Sequence, residues 1–184
     1  MRASVTSATA LLATMVSAHG TIVSPPARAA GAAMAAACGQ ANVQAVTADP
    51  TIPLEDLTNP PPTCQVDLCR GAKFEDNTAN VQTFKPGQVV KMKAAIPIPH
   101  EGPMNVSVVD TATNTVIGQP LIFFDTYADE KLAQLPANNT DFSVTMPKLP
   151  PGTCAKGGKC VVQWHWVGRS AKQTYQSCVD FAMA

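Results

Sequence analysis

The sequence predicts an all-β protein, an immunoglobulin-like or fibronectin type III-like antiparallel β-sandwich with long stapled loops and a short helix. Apolar and polar residues alternate with a period of two through most of the second half of the chain, as in half-buried strands. Sixteen prolines and eleven glycines among 184 residues interrupt the chain with turns, which argues against a helical bundle. Short strands between frequent turns are typical of a two-sheet sandwich.

The segment from Ser24 to Leu68 lacks this alternation and is the predicted loop region. Its alanine-rich part, Ala29 to Ala37, favours a short helix, and a Pro- and Thr-rich loop follows through Pro60, Pro61 and Pro62. A loop region of this length in a compact domain is usually functional or held by cross-links.

The remaining chain supplies the predicted strands. Asp110 to Asn114 has the composition of a hairpin turn between two of them. The predicted strands are Val90 to Ile96, Asn105 to Val109, Thr115 to Gly118, Phe142 to Met146, Cys160 to Trp166 and Tyr175 to Phe181.

The amino terminus has the pattern of a secretory signal peptide, with Arg2, a short apolar stretch and a small-residue exit at Val16-Ser17-Ala18. The apolar stretch is shorter than the roughly 20 residues that span a bilayer. We predict cleavage after Ala18, so that residues 1–18 are a signal peptide and residues 19–184 form one mature domain that begins at His19. The protein is expected to be secreted, extracellular and monomeric.

Secretion permits disulfides, and the six cysteines can pair in 15 ways. Cys154 and Cys160 bracket a turn-rich loop that a local bridge would close. Cys64 and Cys69 are similarly close in sequence, which would leave Cys38 to pair with Cys178 and close a long loop. No pair has C-x-x-C spacing, so a zinc site is not expected.

The charge balance and two glycosylation sequons give further information about partners and modification. The 13 basic and 13 acidic residues balance, which argues against nucleic acid and against an electrostatic membrane anchor. Asn105-Val106-Ser107 and Asn138-Asn139-Thr140 are N-glycosylation sequons, although such triplets are also frequent by chance.

Three histidines, His19, His100 and His165, carry the candidate chemistry. A histidine at a new amino terminus offers two ligands, its α-amino nitrogen and a ring nitrogen. With one further imidazole it completes three nitrogen donors in a T-shaped plane, which suits copper and leaves positions open. His100, in a loop between prolines, is the preferred partner. His165 lies between Trp164 and Trp166, and alternation turns it away from both indoles.

The sequence here resembles the lytic polysaccharide monooxygenases. The opening His19-Gly20-Thr21-Ile22-Val23-Ser24-Pro25-Pro26-Ala27-Arg28 is similar to the mature start of the chitin-binding type-4 group. The close, Gln173-Thr174-Tyr175-Gln176-Ser177-Cys178, resembles the final strand of the family, and its Gln-x-Tyr is similar to the fungal cellulose-active branch.

This resemblance implies one copper ion per chain, bound by the amine and ring of His19 and by a ring nitrogen of His100. Tyr175 would occupy the axial position as a distant neighbour of the copper, and Gln173 would donate a hydrogen bond beside it. Trp166 would pack close to the metal as a redox-active neighbour. The cellulose-active branch also places a histidine near the copper, and His165 is a candidate for that role if the strand slips by one residue.

The implied reaction is oxidative cleavage of an insoluble polysaccharide, with an external electron donor and hydrogen peroxide or dioxygen. The sequence contains no persuasive carboxylate pair for hydrolysis. Gln173 and Tyr175 favour cellulose or another β-1,4-glucan, and the His-Gly opening makes chitin the second choice. Tyr127 is a candidate for stacking on sugars, with a core or loop role as the alternative.

Two other functions fit the same residues. The first is a non-catalytic copper-binding protein of the same fold that serves copper uptake, in which a carboxylate such as Asp180 joins the two histidines. The second is a carbohydrate-binding or cell-wall structural domain, in which the amino-terminal position of His19 has no chemical role.

Overall fold

The computed structural model describes residues 19–184, so the predicted signal peptide lies outside the described residues. Nine strands and three α-helices alternate with short 3₁₀ turns in this part of the chain. The strands are β1 His19–Ser24, β2 Gln82–Phe84, β3 Val89–Ile98, β4 Gly102–Asp110, β5 Thr115–Val116, β6 Ile122–Tyr127, β7 Asp141–Thr145, β8 Cys160–Gly168 and β9 Gln173–Met183. The helices are α1 Ala32–Cys38, α2 Gln40–Ala48 and α3 Ala137–Thr140.

The strands form the two sheets of a sandwich, which confirms the predicted fold class. One sheet has the order β1-β3-β7, and the other has the order β2-β9-β8-β4-β5, with β6 also paired to β4. The pairing is antiparallel except between β2 and β9, which run parallel. Every predicted strand is present, whereas β1, β2 and β6 were not predicted, because their residues do not alternate clearly in polarity.

The larger sheet is covered on both faces. Between the sheets lies a core that includes Met104, Val106, Trp164 and Phe181, all fully buried. The segment before β2, with α1 and α2, packs on the outer face of the larger sheet and forms a second core there. This cover explains why β8 and β9 are buried almost continuously, unlike β3, whose residues alternate between buried and exposed.

The predicted helix is present as α1, but a contact distant in sequence completes its amino terminus. Its N-cap residue, Gly31, has no side chain to accept a hydrogen bond from the first turn. The Asp76 carboxylate accepts hydrogen bonds of 2.9 Å from the backbone N–H groups of Ala33 and Met34 instead. The chain breaks at Gly39 and continues as α2, which was not predicted.

Three disulfides form, and only one of the three considered pairings is right. Cys154 and Cys160 are bonded as predicted. The other two predicted pairs are wrong, because Cys38 bonds Cys64 and Cys69 bonds Cys178. The physical reason is the packing of the segment before β2 on the outer face. Cys38 and Cys64 meet within that segment, and Cys69 lies directly against β9.

None of the helices in residues 19–184 combines the length and apolarity needed to cross a membrane.

Candidate metal centre

His19 and His100 come to the same end of the sandwich through the pairing of β1 with β3. His19 begins β1, and its Cα lies opposite that of Ile98, the last residue of β3. His100 follows Ile98 by two residues, in the short connection to β4. The pairing of these strands therefore brings together residues that are 81 positions apart in sequence.

The end of β8 and the beginning of β9 lie next to the two histidines. Tyr175 lies opposite Trp166, and Gln173 lies opposite Gly168. A Cβ atom built on Gly168 would lie 3.2 Å from the Cβ of His100, and one built on Gly20 would lie 2.9 Å from the Trp166 ring. The absence of a side chain at these two glycines thus allows β8 to approach both histidine segments.

The two aromatic side chains of this region, Trp166 and Tyr175, are fully buried. The Tyr175 ring stacks on Trp166 with the ring centroids 4.5 Å apart and the planes 27° from parallel. The Tyr175 hydroxyl donates a hydrogen bond of 2.7 Å to Oε1 of Gln173. Burial raises the pKa of the Tyr175 phenol, and the carboxylates of Asp56 and Glu55 add to the rise. Tyr175 is therefore a neutral phenol at physiological pH and not a phenolate.

His100 presents one nitrogen to polar neighbours and leaves the other buried. Its Nδ1 lies 3.5 Å from Oγ of Ser170 and 3.9 Å from a carboxylate oxygen of Glu130. Its Nε2 is buried and has no hydrogen-bond partner. Buried polar atoms without a partner are rare in folded proteins, and such an atom indicates a missing ion, water or ligand.

Glu130 is anchored beside His100. Hydrogen bonds from the backbone N–H groups of Glu101 and of Glu130 itself lower the pKa of the Glu130 carboxyl, and burial opposes them. The charge of His100 and a hydrogen bond from Ser170 add smaller lowering effects. The carboxylate is therefore ionised next to the His100 ring.

The His19 imidazole also contacts a carboxylate. Its Nε2 lies 3.1 Å from Oδ2 of Asp49, which is the residue directly after α2. Burial raises the pKa of the Asp49 carboxyl, but hydrogen bonds from Thr51 and the charges of His19 and Arg70 leave that pKa below its ordinary value. Sequence reasoning missed Asp49, because only the tertiary structure brings the end of α2 to the start of β1.

The other sequence candidates lie elsewhere. His165 faces away from Trp164 and Trp166, as alternation predicts, and lines a polar cleft of about 590 Å³ on the outer face of the larger sheet. The idea that a slip of one residue brings His165 towards the metal is wrong, because β8 and β9 pair without any slip.

Two more candidates have structural roles. Tyr127 is fully buried, and its hydroxyl donates a hydrogen bond to the backbone oxygen of Asn139, so the core role is right and sugar stacking is wrong. Asp180 accepts two hydrogen bonds of 2.7 Å from the guanidinium of Arg28, and both side chains are almost completely buried. It is therefore not available to join the two histidines as a metal ligand.

Comparison with known families gives a match over nearly the whole described chain. The model of the family described as lytic polysaccharide mono-oxygenase, cellulose-degrading, matches residues 19–181. The chain belongs to this family. No curated protein matches the sequence significantly.

The solved structures that are similar to this chain are distant from it in sequence. A chitin-binding domain from Burkholderia pseudomallei is 15% identical, with 91% of this chain and 100% of that chain covered and a TM-score of 0.49. The monooxygenase AA15 from Thermobia domestica in the Cu(I) state is 19% identical, with coverages of 70% and 73% and a TM-score of 0.39. The cellulose-active monooxygenase CelS2 in complex with copper is 12% identical, with coverages of 55% and 52% and a TM-score of 0.36.

The residues at this end of the monooxygenase fit a copper ion. Imidazole nitrogens suit copper, and the buried Nε2 of His100 has no other partner. Across residues 19–184, no three or more His, Cys, Asp or Glu side chains are grouped so as to hold a metal. His19 and His100 offer one imidazole each, and the α-amino nitrogen of a processed His19 would be a third nitrogen donor.

Proposed function

We propose that the protein is a secreted, copper-dependent lytic polysaccharide monooxygenase whose mature chain, residues 19–184, begins at His19. The observation that carries the proposal is the buried, unpartnered Nε2 of His100 at the end of the sandwich where β1 begins. The amine and ring of His19 and the Nε2 of His100 would hold one copper ion per chain. Copper, when bound, supplies the one-electron chemistry for oxidising a glycosidic C–H bond with a reductant and hydrogen peroxide or dioxygen.

The other residues would shape and insulate this site. The neutral Tyr175 phenol, stacked on Trp166, would lie beside the copper without offering a strong anionic ligand. Its hydroxyl occupies Oε1 of Gln173, so the hydrogen atoms that Gln173 can donate are those of its amide nitrogen. Gln173 would donate a hydrogen bond beside the metal from that nitrogen.

The proposed substrate is an insoluble β-1,4-linked polysaccharide, with cellulose preferred and chitin second. The mature chain without Arg2 has 12 basic and 13 acidic residues, and this near balance suits an uncharged polymer. Gln173 and Tyr175 support cellulose through their likeness to the cellulose-active branch, and the family description agrees with that preference.

The deciding experiment uses protein processed at His19, loaded with one equivalent of copper and incubated with ascorbate, hydrogen peroxide and either cellulose or chitin. We expect oxidised oligosaccharides in the mass spectrum of the soluble fraction. The matched control carries one extra residue ahead of His19, which displaces the α-amine and leaves every side chain in place. This control should lose tight copper binding and product formation.

The two alternative functions give different results. Tight copper binding by the processed protein without oxidised products from any polysaccharide would favour a copper-uptake protein. Polysaccharide binding without stoichiometric copper binding would favour a carbohydrate-binding domain.

A further inference from the structure

We propose that Asp49 is a positioning residue that holds the His19 imidazole in the tautomer with its proton on Nε2, so that Nδ1 carries the lone pair for the metal. This inference rests on the proposed function, because it assigns a role within the proposed copper site. It concerns an aspartate that the sequence patterns did not single out.

The contact itself is short, and the Asp49 side chain is 42% exposed. Nε2 of His19 lies 3.1 Å from Oδ2 of Asp49, and the His19 side chain is 16% exposed. In a neutral imidazole one nitrogen carries the proton and the other the lone pair, and the hydrogen bond made by one nitrogen decides which is which. A carboxylate only accepts, so the nitrogen facing Asp49 is the one that carries the proton.

Asp49 is held so that one of its oxygens faces His19. Its Oδ1 accepts hydrogen bonds from the hydroxyl of Thr51 and, at 2.8 Å, from the backbone N–H of Thr51. The backbone N–H of Asp49 donates to the oxygen of Ala45 at the end of α2. These bonds fix the carboxylate plane and leave Oδ2 for the imidazole.

The turn that contains Asp49 is tied to the site from two sides. The backbone N–H of Gly20, next to His19, donates to the backbone oxygen of Thr51 at 3.0 Å. From the opposite side, the buried guanidinium of Arg70 donates to the backbone oxygens of Pro50 and Ile52. These contacts hold the turn that contains Asp49 beside the beginning of β1, which is what a residue that orients His19 requires.

Chelate geometry explains why this tautomer matters. The α-amino nitrogen and Nδ1 of the same histidine close a six-membered ring with a metal, whereas Nε2 lies on the far side of the imidazole and cannot close it. Metal-binding histidines usually donate their other N–H to a carboxylate or carbonyl, which fixes the ring and raises its basicity. His100 presents the opposite nitrogen, since its Nδ1 faces Ser170 and Glu130 and its Nε2 is buried without a partner.

The test measures the tautomer in the protein without copper, processed at His19. Long-range ¹H–¹⁵N spectra, recorded above the ordinary histidine pKa of about 6.5, report which imidazole nitrogen of His19 carries the proton. We expect the Nε2–H form in the wild type and a mixture of both forms in Asp49→Ala. Asp49→Asn keeps a neutral acceptor of the same size and should give an intermediate result, and it replaces Asp49→Ala if that variant does not fold.

Copper affinity is the second readout, measured by competition with a chromophoric chelator. Loss of an outer partner of a metal-binding histidine typically weakens metal affinity about 10- to 100-fold, and we expect a loss of that size for Asp49→Ala, with altered Cu(II) EPR parameters. The matched control is Asp141→Ala, which removes an exposed carboxylate on β7 opposite Lys93, away from His19. This control should leave both the tautomer and the copper affinity unchanged.

An unchanged His19 tautomer in folded Asp49→Ala or Asp49→Asn would overturn the inference, as would a copper affinity equal to that of the wild type. Failure of the proposed function has a different signature, because wild-type protein processed at His19 would then not bind copper tightly.

Discussion

The Tyr175 hydroxyl donates a 2.7 Å hydrogen bond to Oε1 of Gln173, two residues earlier on the same face of β9. Residues i and i+2 of a strand share a face, so this bond joins the two residues of the Gln-x-Tyr sequence directly. The stack of Tyr175 on Trp166 holds the phenol ring, and the hydrogen bond holds the amide. The two side chains therefore act as one unit.

Substitution of Tyr175 by Phe should separate packing from hydrogen bonding at this unit. The ring stack remains, while loss of the hydroxyl should lower the free energy of unfolding by about 1 kcal/mol, a typical value for one hydrogen bond. Release of Gln173 should also change the Cu(II) EPR spectrum. Urea unfolding and EPR on the copper-loaded protein measure the two effects.

The matched control for that variant is Tyr127→Phe. Tyr127 is also fully buried, and its hydroxyl also donates a hydrogen bond, to the backbone oxygen of Asn139. It should lose about as much stability and keep the wild-type EPR spectrum. If the wild type, Tyr175→Phe and Tyr127→Phe all give the same Cu(II) EPR spectrum, the Tyr175 hydroxyl has no role at the metal site.

Substitution of Gly102 by Ala should disturb the segment that carries His100. A Cβ atom at Gly102 would lie 1.8 Å from the backbone oxygen of Val167, so β4 and β8 must move apart. Overpacking of this kind typically costs about 1–3 kcal/mol, and displacement of the nearby His100 should weaken copper binding. Thermal unfolding and copper titration measure both effects.

Gly168→Ala is the graded comparison for Gly102→Ala. Its added Cβ would lie 3.2 Å from the Cβ of His100, a tight contact with a side chain and not a clash with backbone. It should cost less stability than Gly102→Ala. A larger loss for Gly168→Ala would show that the His100 contact, and not the spacing of β4 and β8, limits this region.

The disulfides should differ in how much they stabilise the fold. The Cys69–Cys178 bridge spans 109 residues, whereas the Cys154–Cys160 bridge spans 6. In the chain-entropy model, their removal costs about 5 and about 2 kcal/mol respectively, because the longer loop has more freedom to lose. Double alanine variants of each pair, compared by thermal unfolding, should rank in that order, and the reverse order would contradict the loop-length argument.

The pH dependence of stability should contain a contribution from His165. Burial lowers the pKa of His165 below 6.5, although the neighbouring carboxylates of Asp67 and Glu55 oppose this. Since the unfolded chain then binds a proton at higher pH than the folded chain, stability is lost as the pH falls from about 6.5 towards the folded-state pKa.

Urea unfolding at about pH 7.5 and about pH 5.5 tests this sign. His165→Gln removes the titrating group, so it should lose less stability on acidification than the wild type does. The other two histidines are present in both proteins and cancel in the comparison. An equal loss in the two proteins would contradict the lowered pKa.

The strand pattern, and with it the fold class, could be predicted from the sequence, because a half-buried strand repeats every two residues whatever it packs against. The alternation in β3 and β7 is a local feature of this kind. His19, His100, Gln173 and Tyr175 could also be selected as candidates from the sequence, because they lie in short motifs at the two ends of the domain and in one loop. Their role at a metal stays a prediction.

Tertiary structure decided what depends on contacts distant in sequence. The packing of the segment before β2 on the outer face sets the pairing of Cys38 with Cys64 and of Cys69 with Cys178. The unshifted register of β8 against β9 keeps His165 away from Trp166 and Tyr175. Asp49 reaches His19 only because α2 ends beside the start of β1, a closeness that no local periodicity encodes.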